Sequence, residues 1–261
     1  MDIPQYQVNA FSTRQFGGNP AAVVPLDAWL GNAIMQGIAA ENNLSETAFY
    51  VAQADAFALR WFTPEVEVDL CGHATLATAH VLYTELGYRD AELQFMTRSG
   101  ALKVRRLEAG YGMDFPAYPS SAVPVDGAVQ SALGATVLDA WRSSFLLCVL
   151  EDEAAVSGLQ PDFGALLAAS DVPVIVTAPG ESTDFVSRFF GPQVGLDEDP
   201  VTGSAHCALA PLWSGVLGKS RLTARQVSAR GGDLVCDVYG DRVRLEGEAR
   251  TFLRGSIRVE I

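Results

Sequence analysis

Basic residues are scarce in this sequence: 18 Lys and Arg stand against 31 Asp and Glu, a net charge of −13 at pH 7. A surface of that sign repels phosphate backbones and anionic lipid, so neither nucleic acid nor a membrane is expected as a partner. Long apolar runs are missing as well. The longest, 145–150, has six residues, far below the roughly 20 that a membrane helix needs. No basic segment followed by an apolar one opens at Met1, so a cytoplasmic chain is expected. Cysteine is limited to Cys71, Cys148, Cys207 and Cys236, with no CxxC or His-paired spacing. That pattern predicts free thiols in a reducing compartment and argues against a zinc site. Phosphate-loop, dinucleotide and metal motifs are also absent. An anionic substrate would then have to be held by a local feature, such as a helix N-terminus, against the field of the whole protein.

What the chain does have is 49% hydrophobic residues over 261 positions, enough for one large core or two smaller ones. An internal repeat favours two. Phe57, Arg60, Phe62 and Pro64 are echoed by Phe185, Arg188, Phe190 and Pro192, each 128 residues later. A second echo follows, Cys71-Gly72-His73-Ala74 and Thr202-Gly203-Ser204-Ala205, with three extra residues in the second copy. Each Gly turn opens an Ala- and Leu-rich stretch with helical spacing, such as Leu76, Ala79, Leu82 and Leu86, with Gly87 as a stop. So little bulk or charge on any side predicts a helix enclosed by its own sheet.

Strands are expected over 6–11, 47–51, 101–105, 172–176, 234–239, 242–246 and 256–261, from β-branched enrichment and alternation. A hairpin turn is expected at 239–242, and further helices over about 27–42 and 162–169. The join should fall near 116–124, where Pro, Tyr and Ser crowd. The prediction is an α+β chain of two similar halves, 1–118 and 119–261, each a barrel-like, mostly antiparallel sheet around a central helix. The C-terminal strand has the option of packing on the first half.

A Gly turn that opens a helix presents unpaired N–H groups and the positive end of the dipole. One such turn per half suggests a cleft in which both helix starts hold one anion. His73 follows the first turn and either faces that ligand or caps its own backbone. Glu46 stands where a helical stretch gives way to a strand, and at lag 128 its counterpart is Val174, so the acid belongs to one half. It reads as a proton carrier whose pKa burial would raise, or as a solvated or capping glutamate. Asp199, ahead of Pro200 and the Gly203-Ser204 turn, reads as a substrate-holding carboxylate or an Asp-Pro turn. His80 and His206 read as packing histidines, and 151–153, Glu-Asp-Glu, as a solvated loop.

These motifs resemble the PhzF-like family, named for a phenazine-biosynthesis isomerase, nearly end to end. The resemblance is carried by Val8 to Phe11, Gly18-Asn19-Pro20, Leu44-Ser45-Glu46-Thr47, Asp69-Leu70-Cys71-Gly72-His73-Ala74, Glu198-Asp199-Pro200-Val201-Thr202-Gly203-Ser204 and Gly231-Gly232. It implies a diaminopimelate-epimerase-like fold, commonly a homodimer, and a cofactor-free isomerase acting on a small carboxylate-bearing substrate. It further implies Glu46 as general acid/base, His73, Asp199 and Ser204 as substrate-holding side chains, and Gly72 and Gly203 as backbone anion donors. Ser45, Asn19 and Cys71 are secondary candidates. Racemases of this fold resemble one another in using two cysteines; here Cys71 fills the first position and Thr202 the second, so a two-thiol racemase is disfavoured. Its alternatives are an amino- or hydroxy-acid epimerase with a different second base, and a binding protein that keeps the fold.

Overall fold

Two stretches of sequence with one pattern fold into two units with one set of strand pairings. The computed structural model describes residues 1–260. One unit comprises Met1–Asp114 with the segment beginning at Glu246, and the other Phe115–Leu245. The stretch after 245, grouped by sequence with the second half, thus belongs to the first.

The first unit runs β1 (Asp2–Ala10), β2 (Asn19–Leu26), α1 (Asn32–Asn42), β3 (Glu46–Ala52), β4 (Phe57–Phe62) and β5 (Glu67–Val68). It continues through α2 (Gly72–His80), a π-helical turn (Val81–Glu85), β6 (Glu92–Thr97), β7 (Gly100–Arg106) and β8 (Tyr111–Pro116). The second unit runs β9 (Ser121–Val123), α3 (Gly127–Leu133), β10 (Asp139–Arg142), β11 (Leu146–Val149), α4 (Glu153–Ser157) and α5 (Phe163–Ala169). Then come β12 (Val174–Pro179), β13 (Phe185–Gly191), a 3-10 turn (Pro192–Val194), β14 (Leu196–Asp199), α6 (Gly203–Leu217), β15 (Arg221–Gln226), β16 (Gly232–Tyr239) and β17 (Arg242–Gly247). The last strand, β18 (Ala249–Arg258), pairs antiparallel with β1. Ile261, the end of the strand expected over 256–261, lies outside the described residues.

In the first unit β1–β2, β3–β4, β4–β5 and β6–β7 are antiparallel, whereas β2–β3 and β4–β6 are parallel. The second unit repeats this with β10–β11, β12–β13, β13–β14 and β15–β16 antiparallel and β11–β12 and β13–β15 parallel. The class is α+β, a mixed sheet with few helices. Each sheet has a helix at its heart. All of 73–80 is buried in α2, which packs on β1, β2, β3 and β18. Leu76 alone, fully buried, contributes roughly 1.5–3 kcal/mol by leaving water. In α6, 205–210 and Trp213 are buried, and this helix packs on β15 and β16.

Several local expectations need correction. The helix expected from about 27 starts at Asn32 after Gly31, whose extended ψ of 143° breaks the helical run. The acidic 151–153 leads into a helix: Glu151 and Asp152 form an exposed bend, as expected, but Asp152 Oδ1 also accepts from the Ala155 N–H at 2.7 Å as the cap of α4, which begins at Glu153. Strand register also moves the counterpart of Glu46. Thr47 pairs with Phe62 and Val174 with Phe190, so Glu46 matches Pro173 and not Val174. Five residues in the β12–β13 connection against four between β3 and β4 shift the alignment by one.

Candidate functional site

The polar residues of the first unit converge because two parallel strands begin side by side. Ala21 of β2 pairs with Glu46 of β3, which brings Asn19 and Ser45 to the same end of the sheet. Local chain geometry fixes how the backbone turns into each strand. Gly18 lies at φ +71°, and a Cβ there would stand 2.2 Å from the Ala10 carbonyl oxygen, so only glycine fits ahead of Asn19. Asn43 ends α1 at φ 46°, a left-handed cap that asparagine tolerates, and the chain turns at once into Ser45 and Glu46. Ser45 Oγ donates to Asn19 Oδ1 at 3.1 Å, and Asn19 is fully buried.

The start of α2 supplies the rest. Cys71 caps the helix in an extended conformation, without a side-chain capping bond. Its carbonyl accepts the Thr75 hydroxyl at 2.6 Å. The first helical N–H groups, those of Gly72 and His73, have no acceptor within the helix. His73 is buried, with Nδ1 3.3 Å from Asn19 Nδ2 and 3.5 Å from Cys71 Sγ. Its other nitrogen, Nε2, is 3.1 Å from Glu46 Oε2. That is ion-pair distance without hydrogen-bond alignment, and neither atom has an aligned partner among the described residues. Glu46 keeps 18% of its side chain exposed.

Charge is coupled across this cluster. Burial works against an imidazolium, yet the His73 pKa lies well above the ordinary value because Cys71 and the Glu46 carboxylate flank the ring. Burial, and then the Glu46 charge, push the Cys71 thiol up, while His73 pulls the other way. The net effect on the ring favours its protonated form.

The second unit builds its helix start differently. Asp199 ends β14 and is buried, and its Oδ2 accepts the Thr202 hydroxyl. Thr202 caps α6 in an extended conformation. Gln226, fully buried, ties this turn together: Oε1 accepts the Thr202 N–H at 2.8 Å and Nε2 donates to the Asp199 carbonyl at 2.6 Å. Gly203 and Ser204 open the helix, Gly203 buried and Ser204 half-buried. Sequence reasoning missed Gln226 and the commitment of Thr202 to Asp199, since a lone glutamine in a strand carries no spacing signal.

Neither remaining histidine joins the Glu46 cluster. His80 lies 3.0 Å from both the Tyr111 hydroxyl and Thr251 Oγ1, and burial lowers its pKa to about 4. His206 lies with Nδ1 2.8 Å from the Thr202 carbonyl and is likewise lowered to about 4 by burial. All four cysteines are buried, and none forms a disulfide. Glu46, Cys71 and His73 each offer one ligand atom, and these atoms lie within 4.8 Å of one another. The spacing that argued against a zinc site could not show this, because Glu46 is remote in sequence. No helix among the described residues is long and apolar enough to cross a membrane.

A mixed sheet wrapped on a buried helix, built twice, is the epimerase-like fold. A probable proline racemase from Agrobacterium radiobacter shares that fold alone, at TM-score 0.62 and 10% identity over 99% of this chain and 93% of the other. The chain belongs to the PhzC-PhzF family, the phenazine biosynthesis-like proteins, whose model matches residues 8–255. It is similar to an uncharacterized isomerase of Pseudomonas aeruginosa, 52% identical over 260 residues that take in 99% of this chain and 100% of the relative. It is also similar to the crystal structure of a PhzF-family protein from Enterococcus faecalis, at TM-score 0.98 and 48% identity over 99% and 100% of the two chains. The chain is an isomerase of this family.

Proposed function

We propose that the protein moves a carbon-bound proton between two carbons of a small carboxylate-bearing substrate, with Glu46 as the single acid/base. The observation that carries this reading is the Glu46–His73 pair: Oε2 stands 3.1 Å from Nε2 with no aligned donor taking up the carboxylate oxygen. Glu46 removes a proton made acidic by a neighbouring unsaturated or carboxylate group, and its carboxyl holds that proton. The electron pair left behind is delocalised toward an oxygen, which the N–H groups of Gly72 and His73 and the imidazolium stabilise. Glu46 then returns the proton to a second carbon on the same face. No electron leaves the substrate, so the reaction closes without an oxidant or reductant.

The engagement of Thr202 supports one base over two. A second thiol would belong at its position, and its hydroxyl is donated to Asp199. The substrate-holding roles of Asp199, Gly203 and Ser204 belong to the same proposal and predict a raised KM when each is changed singly. The test is a panel of dihydroaromatic acids and cyclic amino acids followed by NMR in deuterated water. Glu46→Gln should lose about 10²–10⁴-fold in kcat/KM while its far-ultraviolet circular dichroism stays that of the parent. Full turnover by that variant on any substrate the parent accepts would overturn the reading.

A further inference from the structure

We propose that Glu46, Cys71 and His73 form a binding site for a thiophilic divalent cation, zinc above all, that closes the site when occupied. Three ligand types that zinc accepts, a carboxylate oxygen, a thiolate and an imidazole nitrogen, lie with one atom of each within 4.8 Å of the others. One separation is already close to a coordination edge. Glu46 Oε2 and His73 Nε2 are 3.1 Å apart, the edge of a tetrahedron whose bonds are about 2.0–2.1 Å. Cys71 Sγ is 3.5 Å from His73 Nδ1. The ring lends one nitrogen to the metal, so with Nε2 on the ion the Cys71 side chain turns from Nδ1 toward Nε2 to complete the shell.

A second observation points to a ligand. His73 is more than nine-tenths buried, and its Nε2, like Glu46 Oε2, lacks an aligned hydrogen-bond partner. Unpaired buried polar atoms are costly, and one cation between them satisfies both. The other cysteines lack such company: among the described residues the Glu46 cluster is the one group of three metal-ligating types brought together.

Binding balances simply. The Cys71 thiol releases its proton to water as the sulfur–metal bond forms, a proton on His73 is released likewise, Glu46 binds as the carboxylate, and no electron moves. Three protein ligands leave one position open to water or to a substrate carboxylate. The ion sits on the Glu46 oxygen, so occupancy excludes proton transfer there. Loss of turnover is the one consequence that rests on the proposed function, and binding itself stands apart from it.

Cobalt(II) serves as a spectroscopic probe of the metal-free full chain. One equivalent should give tetrahedral d–d bands and a thiolate-to-cobalt charge-transfer band, both erased by zinc. In each of Glu46→Gln, Cys71→Ser and His73→Gln, affinity should fall by more than the roughly 10–100-fold that loss of an outer-shell partner costs. Cys236→Ser should keep the bands. Zinc X-ray absorption on the unmutated protein guards against variants that fail to fold, and should give one sulfur at about 2.3 Å with N/O neighbours near 2.0–2.1 Å. Octahedral cobalt, a charge-transfer band that survives Cys71→Ser, or a zinc shell without sulfur would each overturn the proposal. These readouts use no turnover, so a failure of the isomerase reading would leave them intact.

Discussion

Each unit sets an arginine–glutamate clasp ahead of its buried helix, and the two then differ in what stands at the helix start. Arg60 Nε is 2.7 Å from Glu67 Oε1, and Arg188 Nε is 2.7 Å from Glu198 Oε1, each pair closed by a second bond from Nη2. Each guanidinium also lies over the aromatic ring two residues on, Phe62 at 5.2 Å and Phe190 at 4.9 Å. The clasp joins β4 to β5 and β13 to β14, the ribbon that delivers the chain into α2 or α6. Beyond it the first unit places Cys71, His73 and Glu46 within reach of one another, whereas the second ties Thr202 to Asp199 and Gln226. A repeated frame with divergent tips teaches that the duplicated part is mechanical and that the polar groups at the two helix starts are not duplicated.

The largest effect should come from breaking the clasps. Arg188 also donates to the Leu159 carbonyl at 2.8 Å, just past the end of α4, and its side chain is 10% exposed. Arg188→Ala leaves Glu198 and that carbonyl without a donor in a dry setting, and should cost roughly 3 kcal/mol. Arg60→Ala should cost about half as much, because Arg98 still holds Glu67 Oε2 at 2.7 Å from the exposed side. Urea unfolding of both variants checks this. Equal losses would mean that the clasps do not share a common frame with unequal support.

How far the sequence reveals such features depends on their range. The clasps were foreshadowed by the repeat, since Arg60 and Arg188 are 128 residues apart and both sit on strands with aromatic alternation. Strands such as β11 and β12, rich in Val, Leu and Ile, are buried on both faces, and periodicity cannot separate that from other buried runs. Short strands such as β9, β10 and β14 carry too few residues to show alternation at all. Glu46 and the start of α2 were visible as local punctuation, but the Glu46–His73 approach depends on the parallel β2–β3 register and on packing of α2 against those strands. No local pattern encodes that register. Gln226 was invisible for the same reason: its amide matters only because β15 lies beside the β14–α6 turn.

A second contrast is in acid response. At equivalent helix positions the capping carbonyl is met by the Thr75 hydroxyl in the first unit and by His206 Nδ1 in the second. His206 is held neutral, with a pKa of about 4 against 6.5 when unfolded. Between those values the unfolded chain binds a proton that the folded one refuses, so stability falls as pH drops from 6.5 to 4, by roughly 3 kcal/mol for this one group. His80 adds a slope of the same sign. His73 acts in the opposite sense: its folded pKa is raised, so its contribution is complete below 6.5 and is lost as pH climbs through the folded value. His206→Thr copies the first unit. It should cost about 2 kcal/mol at pH 7 through lost packing, yet flatten about half of the acid limb in urea midpoints taken from pH 7 to 4. An unchanged acid limb would assign that loss to other groups.

The smallest effect comes from making the second helix start resemble the first. Thr202→Cys replaces a hydroxyl that donates to the buried Asp199 carboxylate with a thiol, a weak donor. The Gln226 bond to the residue 202 N–H does not depend on the side chain and should persist. The cost should be about 1–2 kcal/mol, read as a lowered urea midpoint with the slope unchanged. The same substitution tests whether a thiol pair could serve. If one carboxylate carries the proton, Glu46→Gln combined with Thr202→Cys stays as inactive as Glu46→Gln alone, because Cys71 remains a protonated thiol in a buried setting and the new sulfur faces an anion. Recovery of carbon–deuterium exchange in the double variant would move the chemistry from Glu46 to the two helix caps.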